Sequence, residues 1–133
     1  MKKIILFSLT VSASISLLSS CKKVEGEGGS STIKGIVIER KYNSVGTLIA
    51  EYPAMDADVY ILYGSGDNFP DDDIKTSYDG SFEFNYLQPG NYRLYAYEDC
   101  NTCASGTDVV IEEVVIDKKK STVEADTIYI KKI

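Results

Sequence analysis

From Thr32 onward the chain alternates between apolar and polar positions. Short runs rich in Val, Ile, Tyr and Phe are punctuated by Gly, Asn, Asp and Pro, the pattern of half-buried β-strands joined by turns. The spacing predicts strands near 32–40, 57–63, 73–78, 81–87, 91–98, 107–116 and 122–131. Tyr78-Asp79-Gly80-Ser81 is the sharpest turn signal, because Asp-Gly readily supplies the positive φ of a tight hairpin. Gln88-Pro89-Gly90-Asn91 is a second, with Pro fixing φ and Gly free to enter the left-handed region. No segment carries a helical stripe, and nothing repeats at a fixed period. About seven short strands at this spacing predict an all-β chain folded as a single β-sandwich of immunoglobulin-like size. Ile33, Val37, Val59, Ile61, Phe82, Phe84, Leu87, Tyr92 and Leu94 fall on alternating positions that can share one interior. Burying such area contributes roughly 25 cal/mol per Å².

The first twenty-one residues follow another pattern. Lys2 and Lys3 precede an apolar stretch, Ile4 to Leu18, that is diluted by Ser and Thr and is too short to span a bilayer as a stable helix. It ends in Leu18-Ser19-Ser20-Cys21, which resembles the lipobox of bacterial lipoproteins. The resemblance implies cleavage before Cys21, diacylation of its thiol and acylation of the new amino terminus. It therefore implies membrane attachment through a lipid anchor, since several acyl chains exceed the marginal hold of one. The competing reading is an ordinary secretory signal with an incidental Cys. Residues 22–31, KKVEGEGGSS, read as a flexible tether. The organisation expected is thus a signal peptide at 1–20, a lipidated Cys and tether at 21–31, and a β-sandwich domain at 32–133. Lys22 stands where an Asp would resemble the inner-membrane retention signal of enterobacteria, which favours the outer membrane. Glu25 and Glu27 loosely resemble the acidic export signals of Bacteroidetes surface lipoproteins.

Charge and cysteine usage narrow the function classes. The chain has 14 basic and 20 acidic residues; the first twenty residues hold two of the basic ones and no acid, so cleavage leaves a net charge of −8. Such a chain is repelled by phosphate backbones, and no nucleic-acid partner is expected. It has no His, which removes the commonest general base and transition-metal ligand. Cys100 and Cys103 would sit in an oxidising compartment, where a disulfide persists. They follow a strand rather than open a helix, so the environment that activates a redox pair is lacking. No further Cys or His completes a zinc set. A local disulfide is expected.

Asp67, Asp71, Asp72 and Asp73 cluster beside Gly64 and Gly66 and form a weak candidate for Ca²⁺, although the spacing is not that of an EF-hand loop. A solvated acidic loop is the expectation, and no cofactor is assigned. Enzyme motifs are missing: there is no Gly-x-Ser-x-Gly, no Ser/His or Cys/His pair, and no glycine-rich loop leading into a helix. A non-catalytic protein is expected.

Three segments together resemble a known family. Ile33-Lys34-Gly35-Ile36-Val37 looks like its opening strand. Pro53 to Ile61, PAMDADVYI, looks like its P-x-A-x-V-x-L segment stretched by two residues. Thr76 to Tyr97, TSYDGSFEFNYLQPGNYRLYAY, closely resembles T-x-x-D-G-x-F-x-F-x-x-L-x-P-G-x-Y-x-L. This is the pattern of the transthyretin-like, carboxypeptidase-regulatory-like sandwiches, near the Cna B-type repeats. The resemblance implies a small Greek-key sandwich of the kind that usually serves as a non-catalytic envelope module. Cna B-type domains often carry a Lys–Asn isopeptide bond. Lys34 could supply the first partner, but no Asn follows Asn101, and no crosslink is expected.

The resemblance also places the strands at 57–63 and 91–98 side by side. With Val59, Ile61, Tyr92 and Leu94 turned inward, Tyr60, Leu62, Tyr95 and Tyr97 would form an exposed patch flanked by Arg93. Exposed aromatic clusters with polar rims mark binding surfaces, although Tyr also pairs well across strands for structural reasons. The expected role is a lipid-anchored binding or structural module of a Gram-negative envelope, its partner another envelope protein or a glycan. A carbohydrate-binding role proper is the alternative, weakened by the absence of Trp.

Overall fold

The computed structural model describes residues 24–133. The predicted signal peptide and Cys21 lie outside the described residues. Nine strands follow in order: β1 (Glu27–Tyr42), β2 (Leu48–Pro53), β3 (Asp58–Tyr63), β4 (Asp72–Lys75), β5 (Ser81–Leu87), β6 (Gly90–Asp99), β7 (Thr107–Ile116), β8 (Thr122–Glu124) and β9 (Ile128–Lys132). They form two sheets that enclose one core, and no helix occurs among the described residues.

The long β1 organises the first sheet. Its N-terminal half pairs antiparallel with β5 and parallel with β8, and its C-terminal half pairs antiparallel with β2 and parallel with β9. The second sheet has the order β4-β3-β6-β7, all antiparallel. Alternation along each strand decides what is enclosed: all nine residues expected inside belong to the buried cluster, joined by Ala54, Ala96, Val114, Ile116, Ala125, Ile128 and Ile130. At two glycines the packing explains the residue. A Cβ on Gly35 would lie 2.6 Å from the Phe82 ring, so Gly makes room for that ring against β1. Gly80 has φ 78° and faces the Val37 carbonyl at 2.4 Å from an added Cβ, which is the turn geometry that Asp-Gly predicted.

Several boundaries differ from those expected. The strand β1 begins at Glu27 rather than Thr32, and Ser31 is fully buried, so much of the stretch read as a tether is sheet. Gly and Ser there mask the signal because they carry no apolar pattern, yet their backbone pairs with β5. The strand β2 was not expected at all. Nearly every residue in it is exposed and only β1 holds it, so it lacks the binary pattern by which strands are recognised. The run 122–131 is two strands, because Ala125 and Ile128, three residues apart, both face the core, one residue out of phase, and the register against β1 shifts by one between them. A comparable shift occurs in β5. Ile33 pairs with Phe84 but Ser31 with Leu87, so β5 carries an extra residue. Tyr86 takes it up with φ 59°, a left-handed conformation that costs an ordinary residue roughly 1–2 kcal/mol.

Cys100 and Cys103 are joined by a disulfide, their Cα atoms 5.4 Å apart, in the turn between β6 and β7. The same turn is held by backbone bonds from Cys100 N–H to the Gly106 carbonyl and from Gly106 N–H to the Cys103 carbonyl. A ring this small removes little entropy from the unfolded chain, about 2 kcal/mol by the loop-closure relation. The double replacement Cys100→Ala/Cys103→Ala is therefore expected to fold, with stability lowered by about 2 kcal/mol or less. Urea denaturation of the two proteins measures this, and a variant that fails to fold would show the turn to be a folding requirement.

Candidate functional site

The outer face of the β4-β3-β6-β7 sheet carries the candidate surface. Tyr60 sits opposite Tyr95, and Leu62 opposite Arg93, across the β3–β6 ladder. Tyr95 in turn faces Ile111, and Tyr97 faces Val109, across β6–β7. The expected inside–outside assignment of both strands therefore holds: none of Tyr60, Leu62, Tyr95 or Tyr97 belongs to the core cluster between the sheets.

Their exposure differs from expectation. Leu62 is only 4 % and Tyr95 only 8 % exposed, whereas Tyr97 is 49 % exposed. The reason lies in side-chain packing on the outer face. The rings of Tyr60 and Tyr95 stack with centroids 4.8 Å apart, and Tyr97 meets both edge-on at 5.7 Å. Stacked rings spend their faces on one another. Burial pushes the hydroxyls of Tyr60 and Tyr95 above the ordinary tyrosine value, so both are neutral phenols at physiological pH.

Arg93 supplies the other wall of the site. Its Nε donates to the Gly64 carbonyl at 3.1 Å, Nη1 to Asn68 Oδ1 at 3.1 Å and Nη2 to the Asp67 carbonyl at 2.7 Å. The guanidinium, with donors in a fixed fork, holds the 64–71 loop against the sheet. The result is a shallow groove of about 320 Å³ lined by Leu62, Asn68, Arg93, Tyr95, Tyr97, Val109 and Ile111. Leu62 and Tyr95 form its buried floor and Tyr97 its exposed lip. The alternation on β7 was legible, but Val109 and Ile111 were not assigned to the site. Their place depends on cross-strand register, and nothing along β7 alone reports it. Asn68 enters through a loop fold that Arg93 imposes.

The acidic loop does not assemble a cation site. Asp71 Oδ2 accepts the Tyr63 N–H at 2.7 Å, Asp67 Oδ1 accepts the Phe69 N–H at 3.3 Å, and Asp72 Oδ1 accepts the Asp73 N–H at 2.8 Å. The carboxylates shape their own loop and strand start. Among the described residues, the one cluster of three potential metal ligands with converging atoms is Cys100, Cys103 and Asp108, and its two sulfurs are spent in the disulfide. A further recess of about 350 Å³, lined in part by Lys34, Ile36, Ile74, Ser77 and Glu83, contains no exposed aromatic platform.

No protein-family model matches the chain, and no curated protein matches it. Among solved structures it is similar to a proposed carbohydrate-binding protein from Pseudomonas aeruginosa. The identity is 13%, over 80% of this chain and 91% of that chain, with a TM-score of 0.48. A likeness of that degree assigns no ligand to the groove.

Proposed function

We propose that the protein is a lipid-anchored, non-catalytic binding module of a Gram-negative, Bacteroidetes-like cell envelope, held at the outer membrane through Cys21. Its domain is read as a transthyretin-like, carboxypeptidase-regulatory-like Greek-key sandwich. The motif run Thr76 to Tyr97 supports that reading by spanning the β4–β5 turn, β5, the Pro89-Gly90 turn and β6. The observation that carries the function is the groove on the outer sheet face. It has an apolar floor that does not open to the core, a half-exposed ring at its lip and polar groups of Asn68 and Arg93 beside it. Concave, mostly apolar sites with a few placed polar groups are the usual form of binding surface.

One observation favours a carbohydrate over a protein as occupant: Tyr97 offers ring area to solvent next to the Asn68 amide, the combination of apolar face and hydrogen-bonding rim that a sugar ring engages. Screening the protein on a glycan array, and recovering partners from envelope extract, separates the two occupants. Tyr97→Ser is expected to weaken whichever interaction is found by about 2 kcal/mol, the usual scale for an aromatic anchor. Unchanged binding by that variant would remove the groove as the ligand face.

A further inference from the structure

Tyr97 borders a second hollow besides the groove. This recess, of about 270 Å³, lies at the Asp58 end of β3, where the 54–57 turn meets the ends of β6 and β9. Tyr97 and Ala96 line it from β6, Asp56 and Asp58 from the turn and the start of β3, and Ile130 and Lys132 from β9. Tyr97 is the one residue that the groove and the recess share. Its half-exposed ring therefore stands at their junction and offers an apolar face to both.

The turn that carries Asp56 is held from within the fold. Asp56 has φ 55°, its N–H donates to the Thr76 carbonyl at 3.1 Å, and the Ala57 N–H donates to Thr76 Oγ1 at 2.9 Å. Thr76 Oγ1 donates in turn to the Ala54 carbonyl. Thr76 is one of two buried polar residues among the described residues, and these bonds commit it to shaping the turn. The Asp56 carboxylate itself is exposed and enters no ion pair among the described residues. Both its oxygens can accept hydroxyl hydrogens.

Size and charge say what could lie there. Alone, each hollow is at or below the small end of ligand sites, which hold roughly 300–1,000 Å³. Continuous over Tyr97, the two fall well within that range. Arg93 is the one charged side chain lining the groove, whereas Glu39, Asp56 and Asp58 line the recess against Lys132. Asp58 is paired with Lys75 at 2.7 Å, Lys132 stands 3.7 Å from Asp99, and Glu39 accepts the Tyr52 hydroxyl. A ligand repeating either charge would meet its like in one of the two hollows, so an uncharged chain suits both. We infer that the ligand is an uncharged oligosaccharide of at least two units, lying across Tyr97 with one unit in the groove and the next in the recess, where Asp56 accepts its hydroxyls. This rests on the carbohydrate reading of the groove proposed above.

The test titrates the full chain, in detergent micelles, with glucose, mannose and xylose oligomers of one to four units. Glucosamine and galacturonic acid oligomers are the charged controls. One neutral series is expected to bind, with affinity rising by about tenfold when the second unit is added, as a second contact joins the first in one molecule. Asp56→Gly, on a backbone that suits glycine, and Met55→Ala, at an exposed position lining the recess, should each melt with the parent. Both should lose most of that rise while keeping the affinity for the single sugar. A neutral series that binds without the rise, or a rise that survives both variants, overturns the second subsite and leaves the groove as the ligand face. Binding confined to a charged series overturns the uncharged ligand. Failure of every oligomer to bind at any length overturns the carbohydrate reading and this inference with it.

Discussion

Truncating Tyr92 to Ala is expected to destabilise the domain by about 3–5 kcal/mol, the range for removing a large buried aromatic, and so to unfold much of the population of a domain of ordinary marginal stability. The ring is almost completely buried and meets Tyr63 edge-on at 5.8 Å. Its hydroxyl donates to the Gln88 carbonyl at 2.6 Å while accepting the Gly26 N–H at 3.0 Å. Tyr92→Phe separates these contributions, because it keeps the packing and leaves a buried N–H and a carbonyl without this partner. That costs about 1–3 kcal/mol. The loss should be local as well as global. Amide exchange at Gly26 is expected to accelerate more in Tyr92→Phe than exchange at Val37 or Leu94. Denaturant melts of both variants and exchange on the Phe variant check this. A Phe variant as stable as the parent, with Gly26 still protected, would mean that the hydroxyl does not hold the chain entrance.

Tyr95→Ser is expected to cost about 2–3 kcal/mol, a partial version of the large-aromatic loss, while Tyr97→Ser stays within about 0.5–1 kcal/mol as surface positions do. The two residues are neighbours on the same face of β6, two positions apart, and sequence alone gives no reason to separate them. Tyr95 stacks on Tyr60 and floors the groove, whereas Tyr97 contributes its edge to the cluster and much of its ring to solvent. Thermal or urea melts measure the difference. Equal losses would show the outer cluster to be a cooperative unit in which the lip residue is as structural as the floor. Tyr97 is for this reason the sound probe of binding. A triple replacement of Tyr60, Tyr95 and Tyr97 would mix loss of ligand with loss of fold.

The two variants also report on linked parts of the molecule. Tyr92 faces inward and ties the entering chain at Gly26 to Gln88 beside the Pro89-Gly90 turn. Tyr95, three residues further along the same strand, faces outward and supports the groove. One strand therefore serves both the core and the groove through the period-two alternation of its side chains.

How much of this was legible in the sequence follows from what each signal depends on. Alternation is local, so the strands at 57–63, 81–87, 91–98 and 107–116 and all nine expected core residues could be read from it. The Asp79-Gly80 turn could be read because only a residue free of Cβ suits its backbone. That Tyr60 and Leu62 on one strand and Arg93, Tyr95 and Tyr97 on another point away from the core was legible from the same alternation, whereas the pairing of those two strands was implied by the family resemblance. Where alternation is broken, by the extra residue at Tyr86 or by the phase change between Ala125 and Ile128, the spacing of apolar residues records the break. It does not say whether the backbone or the pairing absorbs it.

The tertiary structure alone decided the rest. The strand β2 exists because β1 offers it an edge, and no burial pattern announces such a strand. The Gly- and Ser-rich segment before Thr32 is sheet because β5 pairs with it, although its composition is that of a linker. The exposure of Leu62 and Tyr95 was set by rings and a loop distant along the chain, through Tyr60 and through the three bonds from Arg93. The groove required Val109 and Ile111 to fall in register with Tyr97 and Tyr95. Side-chain period is a property of neighbours along the chain, and so the sequence by itself determined which face each strand residue takes. Register, edge pairing and loop closure are properties of residues far apart, and only the assembled sheets could decide which of those faces meets water.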